Sequence, residues 1–105
     1  MKPATTDSKA STGQTVLVIG GSGGLSGRYR DIVEEHGCSL RHYEDKVPPG
    51  ARRRLGRVAL VVIMVGMVSH ALRDQVKGLV DDAPVVYLRT ASTSALRAAI
   101  ERWAA

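Results

Sequence analysis

Two short runs of uninterrupted apolar residues constrain the fold of this chain more than any other feature. The first covers residues 15–19 and ends at a glycine pair, and the second covers residues 58–65 and ends at Gly66. Runs this short and this uniform are typical of strands buried on both faces, which belong to parallel sheets covered by helices on either side. We therefore predict two strands of a parallel sheet, the second of them central.

The rest of the chain alternates between strand and helix patterns. Weaker strand patterns lie at residues 38–43 and 85–88, an amphipathic helix follows the first run, and Ser69 and Ser92 offer N-cap hydroxyls for two further helices. Residues 51–55 are read either as a short helix or as a connector. Right-handed helical crossovers then give a small three-layer α/β domain with a four-stranded parallel sheet of order 2-1-3-4, similar to half of a flavodoxin-like or Rossmann-like fold.

Composition limits the class of protein. A chain of 105 residues with 44% hydrophobic content suits one domain, which we place at residues 15–105 after a polar, disordered tail at residues 1–14. Cys38 is the single cysteine, so no internal disulfide forms. We find no secretory signal, and the longest apolar run is shorter than the roughly 18 residues of a membrane span. These observations favour a cytoplasmic protein with no membrane partner.

The net charge of +5 comes partly from one basic stretch that contains Arg52, Arg53 and Arg54. Such a stretch attracts nucleic acid or phosphorylated ligands through its field, yet a charge run without interleaved aromatic residues is usually a solvated surface. We therefore favour the surface interpretation over nucleic-acid binding. The role of these three arginines stays open.

The predicted strand order places a crevice between strands one and three. Ligands of open parallel sheets bind beyond the carboxyl ends of the strands, where neighbouring connections diverge to opposite faces. Three loops meet there, at residues 20–28, 66–70 and 89–94. We predict that the ligand-binding residues are Gly20, Gly21, Ser22, Gly23, Gly24, Arg28, Tyr29, Ser69, His70 and Arg89.

The loop after strand one carries five glycines in eight residues, from Gly20 to Gly27. Its backbone N–H groups and the start of the following helix favour an anion, whereas the alternative is that the glycines only form a tight turn. The loop fits neither the dinucleotide fingerprint nor the P-loop. It is similar to the Gly-Gly-Ser-Gly-Gly turn of short-chain dehydrogenases, with Glu44 in the place of a ribose-binding acid, but the chain contains no Tyr-x-x-x-Lys pair.

Two of the predicted site residues also have plain structural interpretations. His70, at the start of a helix beside the crevice, can exchange a hydrogen bond with a ligand or only face solvent. Tyr29, at helical spacing from Ile32 and Val33, is better explained as a core residue whose hydroxyl reaches the rim. With no nucleophile elbow, no paired carboxylates and no metal-ligand spacing, we predict no catalytic residue and no metal site, and the cofactor stays undefined.

Several segments together resemble a known family. They are the strand and glycine pair from Thr15, Arg28–Tyr29–Arg30 with the following Glu-Glu-His-Gly, Val68–Ser69–His70, and Pro84 to Arg89. In this order they resemble the bacterial domain of unknown function 2325 over nearly all of residues 15–103. The resemblance implies an α/β fold and supports the crevice residues Gly20, Gly21, Tyr29, Ser69, His70 and Arg89, but it implies no substrate. The chain departs from the family pattern at Gly66–Met67, which weakens a catalytic interpretation further.

The function that these patterns favour is the binding of a small anionic ligand, phosphate-like or nucleotide-like, at the glycine-rich loop. In this hypothesis the loop amides hold the anion and Arg28, His70 and Arg89 assist. The alternative is a homodimeric protein-interaction or regulatory module that uses an edge strand or an apolar helix face and has no small-molecule ligand. A nucleic-acid binder and an enzyme are less favoured classes.

Overall fold

The alternation of apolar runs and amphipathic segments produces a layered α/β domain in the computed structural model. The structure describes residues 14–48, 50–51, 55, 57–64, 66, 68–80 and 82–104. The predicted tail, apart from Gln14, and the arginines at positions 52–54 lie outside the described residues. Ala51 and Leu55 are both helical and buried, as in the short-helix interpretation of this segment.

The described residues form four strands and three longer helices. The strands are β1 (Gln14–Ile19), β2 (Ser39–Tyr43), β3 (Arg57–Met64) and β4 (Val85–Leu88). The helices are α1 (Ser26–Glu35), α2 (His70–Leu79) and α3 (Thr93–Ala104), and a short 3₁₀ turn at Gly23–Leu25 precedes α1. Ser69 is the N-cap of α2, and its side chain accepts the Leu72 N–H. The predicted helix and its predicted N-cap, Ser69, are therefore confirmed.

The strands form one parallel sheet of order β2-β1-β3-β4, as predicted. Val18 of β1 lies in register with His42 of β2 and with Val62 of β3, so β1 is central. The uniform apolar runs of β1 and β3 fill the two inner positions, where both faces of a strand are covered. The weaker patterns of β2 and β4 occupy the two edges.

The sheet separates two apolar clusters, one on each face. On one face, alternate residues of β1 and β3 pack against Tyr29, Ile32 and Val33 of α1 and against Leu96 and Ile100 of α3. On the other face, the intervening strand residues pack against α2 and the segment after β2, through Leu17, Ile19, Val47, Ala51, Leu55, Val61, Ile63, Leu72 and Val76. The chain therefore leaves β1 toward one face and β3 toward the other.

No helix among the described residues is long and apolar enough to cross a membrane.

Candidate functional site

The carboxyl ends of all four strands lie at one edge of the sheet, because the strands are parallel. At this edge the chain passes from β1 to α1 on one face and from β3 to α2 on the other. The connections of these neighbouring strands therefore diverge between β1 and β3, which is the arrangement that forms a ligand crevice in open parallel sheets. The strand order confirms this predicted divergence point.

The loops that follow β1 and β3 pack directly on each other. A Cβ added to Gly20 would lie 2.9 Å from Val68 Cγ1 and 3.1 Å from the carbonyl oxygen of Met64. The loop after β4 approaches the same place, since a Cβ on Gly66 would lie 3.5 Å from the Arg89 carbonyl oxygen. The three loops named from the sequence therefore meet at one edge.

The first two glycines of the loop are required by the turn itself. Gly20 and Gly21 have φ angles of 92° and 79°, a region that side-chain-bearing residues rarely adopt. A Cβ on Gly21 would also lie 2.8 Å from Met64 Sδ and 2.9 Å from the Tyr29 hydroxyl. The tight-turn explanation therefore accounts for this pair without any ligand.

The later glycines have a different environment. Gly24 has no positive φ, and the nearest atom to a Cβ there is Ser22 Oγ at 3.5 Å. A Cβ on Gly27 would meet nothing within 4 Å. Neither the backbone conformation nor packing within the described residues requires glycine at these two positions. They leave open space beside the first turn of α1.

Most amides of the glycine-rich loop already have partners inside the protein. The Gly20 N–H donates to the Tyr43 carbonyl at 2.8 Å, and the Gly24 N–H donates to Ser22 Oγ at 3.2 Å. The Ser22 N–H donates to the Tyr29 hydroxyl at 3.4 Å. Among the described residues, only the N–H groups of Gly21 and Gly23 in the segment 20–24 have no partner. Fewer loop amides are therefore free to bind an anion than the glycine-rich sequence suggested.

Tyr29 joins two of the three loops. Its side chain is fully buried, and its hydroxyl donates to the Ala91 carbonyl at 2.6 Å while accepting the Ser22 N–H. The ring of His42 meets the Tyr29 ring edge-on, with centroids 5.2 Å apart, and His42 Nε2 lies 2.6 Å from the Gly20 carbonyl oxygen. Tyr29 is therefore a positioning residue of the loop, with its hydroxyl at the rim as the helical spacing suggested.

Two residues near the loop were not among the predicted site residues. His42 contacts both Gly20 and Tyr29, and Glu44, which follows β2, lies against Gly23. The Cδ of Glu44 would be 3.1 Å from a Cβ on Gly23. The alternation of β2 places His42 on the α1 face, level with Val18, which is a signal that sequence reasoning could have used. Glu44 was noted from its distance along the chain alone.

The polar residues predicted to assist the loop are exposed at the same edge. His70 is the first residue of α2, and its Nδ1 lies 3.2 Å from Arg73 Nη2. The side chains of Arg28 and Arg89 are exposed and form no hydrogen bond or ion pair with any described residue. Ser69 Oγ is engaged as the α2 cap, since it accepts the Leu72 N–H at 3.1 Å. Arg28 and Arg89 therefore keep their donors available, whereas the acceptor of Ser69 is in use.

The first turn of α1 contains no acidic residue of its own, although the Glu44 carboxylate lies against Gly23 in the preceding turn. The N-cap of α1 is Leu25, which makes no side-chain cap hydrogen bond. The Ser26 N–H already donates to the Gly23 carbonyl of the 3₁₀ turn, so the start of α1 offers an anion chiefly the partial positive charge of the helix dipole. By contrast, no group of three or more His, Cys, Asp or Glu within the described part of the chain is arranged to hold a metal ion.

Comparison with known protein families gives a match to this chain. Residues 15–103 match the family described as an uncharacterized protein conserved in bacteria, domain of unknown function 2325. The chain belongs to this family. Membership confirms the resemblance carried by the glycine pair, the helix-start Tyr29 and Val68–Ser69–His70. The family description assigns no activity, and neither the curated proteins nor the solved structures give a significant match.

Proposed function

We propose that this domain binds a small anionic ligand that also carries hydroxyl groups, such as a sugar phosphate or a nucleotide, in the crevice between the β1 and β3 loops. The observation that carries the proposal is the direct packing of Gly20 on Val68 beside an α1 N-terminus that no side chain caps. This combination places the N–H groups of Gly21 and Gly23 and the positive end of the α1 dipole at the divergence point of the sheet.

The anionic part of the ligand fits best over the first turn of α1. Gly24 and Gly27 leave open space there, and the exposed Arg28 lies in the same turn. The Gly23 N–H supplies a backbone donor, and Arg89 and His70 supply charge-assisted or neutral hydrogen bonds from the neighbouring loops. Because few backbone N–H groups of the loop are free, the arginine side chains supply most of the hydrogen bonds to the anion.

The hydroxyl-bearing part of the ligand fits best beside Glu44. A carboxylate repels phosphate, but it accepts hydrogen bonds from the hydroxyls of a sugar. Glu44 lies against Gly23, at the end of the loop nearest β2. A ligand with an anionic group and a neighbouring diol satisfies both Arg28 and Glu44, whereas inorganic phosphate satisfies only one.

The proposal is tested by calorimetric titration with ribose 5-phosphate, using the Gly24→Val variant and a matched Gly78→Val control. Both glycines have room for a side chain, but Gly78 lies near the far end of α2. We expect Gly24→Val to weaken binding by about tenfold or more, which corresponds to about 1.4 kcal/mol, because it fills the crevice. The Gly78→Val affinity should equal that of the unmodified protein. Equal affinities for all three proteins would refute the location of the site.

A homodimeric interaction module is the second candidate function, and one observation favours it. Val85 and Tyr87 on the edge strand β4 are 37% and 48% exposed, which makes them the large hydrophobic residues with the greatest exposure in the described chain. Exposed apolar side chains on an unpaired edge strand favour pairing with a second copy. Sedimentation of the protein and its Tyr87→Lys variant tests this function: a dimer that the variant disrupts supports it, and a monomer in both cases excludes it.

A further inference from the structure

A concave surface runs along the outer edge of β2 and reaches the first residue of α1. It is lined by Ser26 and Arg30 of α1, by residues 40–43 of β2 and by Pro48. Within the described part of the chain, the strand order leaves this edge of the sheet without a neighbouring strand. The surface therefore combines a groove with an open strand edge.

The backbone of β2 presents unpaired groups to this groove. Tyr43 accepts the Gly20 N–H through its carbonyl, which directs the backbone groups of Tyr43 and Arg41 toward β1. Leu40 and His42 alternate with them, so their N–H and C=O groups point away from the sheet. No described residue pairs with these outward groups. These N–H and C=O groups can form backbone hydrogen bonds with one additional extended segment.

Two arginines flank the open edge, one on each face of the sheet. Arg30 extends from α1, and Arg41 lies in register with Leu17, whose side chain packs on the opposite face. Both arginines are exposed, and neither forms an ion pair with a described residue. Successive side chains of an added strand point to opposite faces. Two successive acidic residues would therefore meet one arginine each.

We infer that the β2 edge binds an extended acidic peptide by strand addition, with backbone hydrogen bonds to Leu40 and His42 and carboxylates facing Arg30 and Arg41. A second copy of β2 fits poorly, because antiparallel pairing brings its own Arg41 to the same edge. A nucleic-acid strand lacks the row of alternating donors and acceptors that the C=O and N–H groups of Leu40 and His42 need. The inference does not rest on the ligand proposed for the crevice.

The inference is tested by fluorescence anisotropy with a labelled peptide of about six residues, long enough to span β2 at roughly 3.3 Å per residue. The peptide carries Glu-Glu at its centre, flanked by Val and Thr. One control peptide has Lys-Lys instead, and another has N-methylated amides that cannot donate to the ladder. We expect binding of the acidic peptide alone, with amide exchange slowed at Leu40 and His42.

Matched protein variants separate this site from general charge attraction. Arg41→Glu and Arg102→Glu change the net charge equally, and both arginines are exposed. Arg41 lines the concave surface, whereas Arg102 lies in α3 and does not line it. We expect Arg41→Glu to weaken peptide binding by about tenfold or more, as the loss of a charge-assisted hydrogen bond implies, and Arg102→Glu to have little effect. Arg30→Glu provides a second variant on α1 should Arg41→Glu lose its fold by circular dichroism. Equal effects of the two matched variants, equal binding of the N-methylated peptide, or tighter binding of an oligonucleotide than of the peptide would overturn the inference.

Discussion

At the scale of single residues, one hydroxyl organises the candidate site. The Tyr29 side chain is buried among α1 and sheet residues, and its hydroxyl bonds both the Ala91 carbonyl and the Ser22 N–H. Ser22 in turn caps the Gly24 N–H. The conformation of the glycine-rich loop therefore depends on a side chain that the ligand does not need to touch.

Tyr29→Phe should lower the free energy of unfolding by about 1–2 kcal/mol, because two partly buried polar groups lose their partner while the ring is kept. Urea denaturation measures this change. Tyr87→Phe is the matched control, since Tyr87 is 48% exposed and its hydroxyl forms no hydrogen bond with a described residue. Equal stabilities of the two variants would show that the Tyr29 hydroxyl does not hold the loops together.

The Glu44→Gln variant should distinguish binding of the hydroxyl groups of the proposed ligand from binding of its anionic group. The substitution keeps the shape of the side chain and removes its charge. It should lower the affinity for ribose 5-phosphate by about threefold to tenfold and leave the affinity for inorganic phosphate unchanged or higher. Calorimetric titration of both compounds measures the difference. A parallel loss for both compounds would contradict a role for Glu44 in holding hydroxyls.

At the scale of elements, the site results from two strand-to-helix connections that turn opposite ways. The β1 connection needs two glycines of positive φ before α1, whereas the β3 connection reaches α2 through the Ser69 cap. The two connections touch at Gly20 and Val68. The start of α2 is thus fixed by its own side-chain cap, whereas α1 has no such cap and follows a 3₁₀ turn that Ser22 caps.

Ser69→Ala should destabilise the protein by about 1 kcal/mol through the loss of the α2 cap. Thermal denaturation of the unliganded protein measures the effect. Ser69→Asp should restore the stability, because aspartate also caps helices and adds a favourable charge near the helix start. If Ser69→Asp is as unstable as Ser69→Ala, the cap is not what Ser69 contributes.

The architecture was predictable from sequence because its signals are local. Uniform apolar runs mark β1 and β3, and Ser69 precedes an amphipathic helix, so each element is encoded within its own residues. The hydrogen bonds of the loop are not local. Tyr29 reaches Ala91, 62 positions along the chain, and His42 reaches Gly20 from another strand. Sequence reasoning therefore found the loops but not which of their amides are already engaged.

At the scale of the whole molecule, the two edges of the sheet differ in chemistry. The β4 edge exposes Val85 and Tyr87, whereas the β2 edge exposes Arg41 beside Arg30 of α1. The crevice lies between these edges, at the ends of the central strands. A second copy and an acidic peptide would therefore bind at opposite edges of the sheet, and a small ligand would bind at the ends of the strands between them.

The stability of the whole domain should fall in alkaline solution partly because of Cys38. Burial raises the pKa of the Cys38 thiol above its ordinary value of 9.0. The unfolded chain then loses this proton first, so the contribution is fully present below pH 9.0 and is lost as the pH rises through the raised value in the folded state. Urea denaturation between neutral and alkaline pH should give a shallower decline for Cys38→Ala, and identical declines would contradict this account.

The most direct measurement of the central claim is a titration of the ¹⁵N-labelled protein with ribose 5-phosphate, followed by amide chemical shifts. We predict that the amides of Gly21, Gly23 and His70 shift together and saturate with one dissociation constant, while the amide of Gly50 does not move. An absence of shifts at Gly21 and Gly23 when the ligand is in large excess would contradict the claim that the crevice between the β1 and β3 loops binds a hydroxyl-bearing anion.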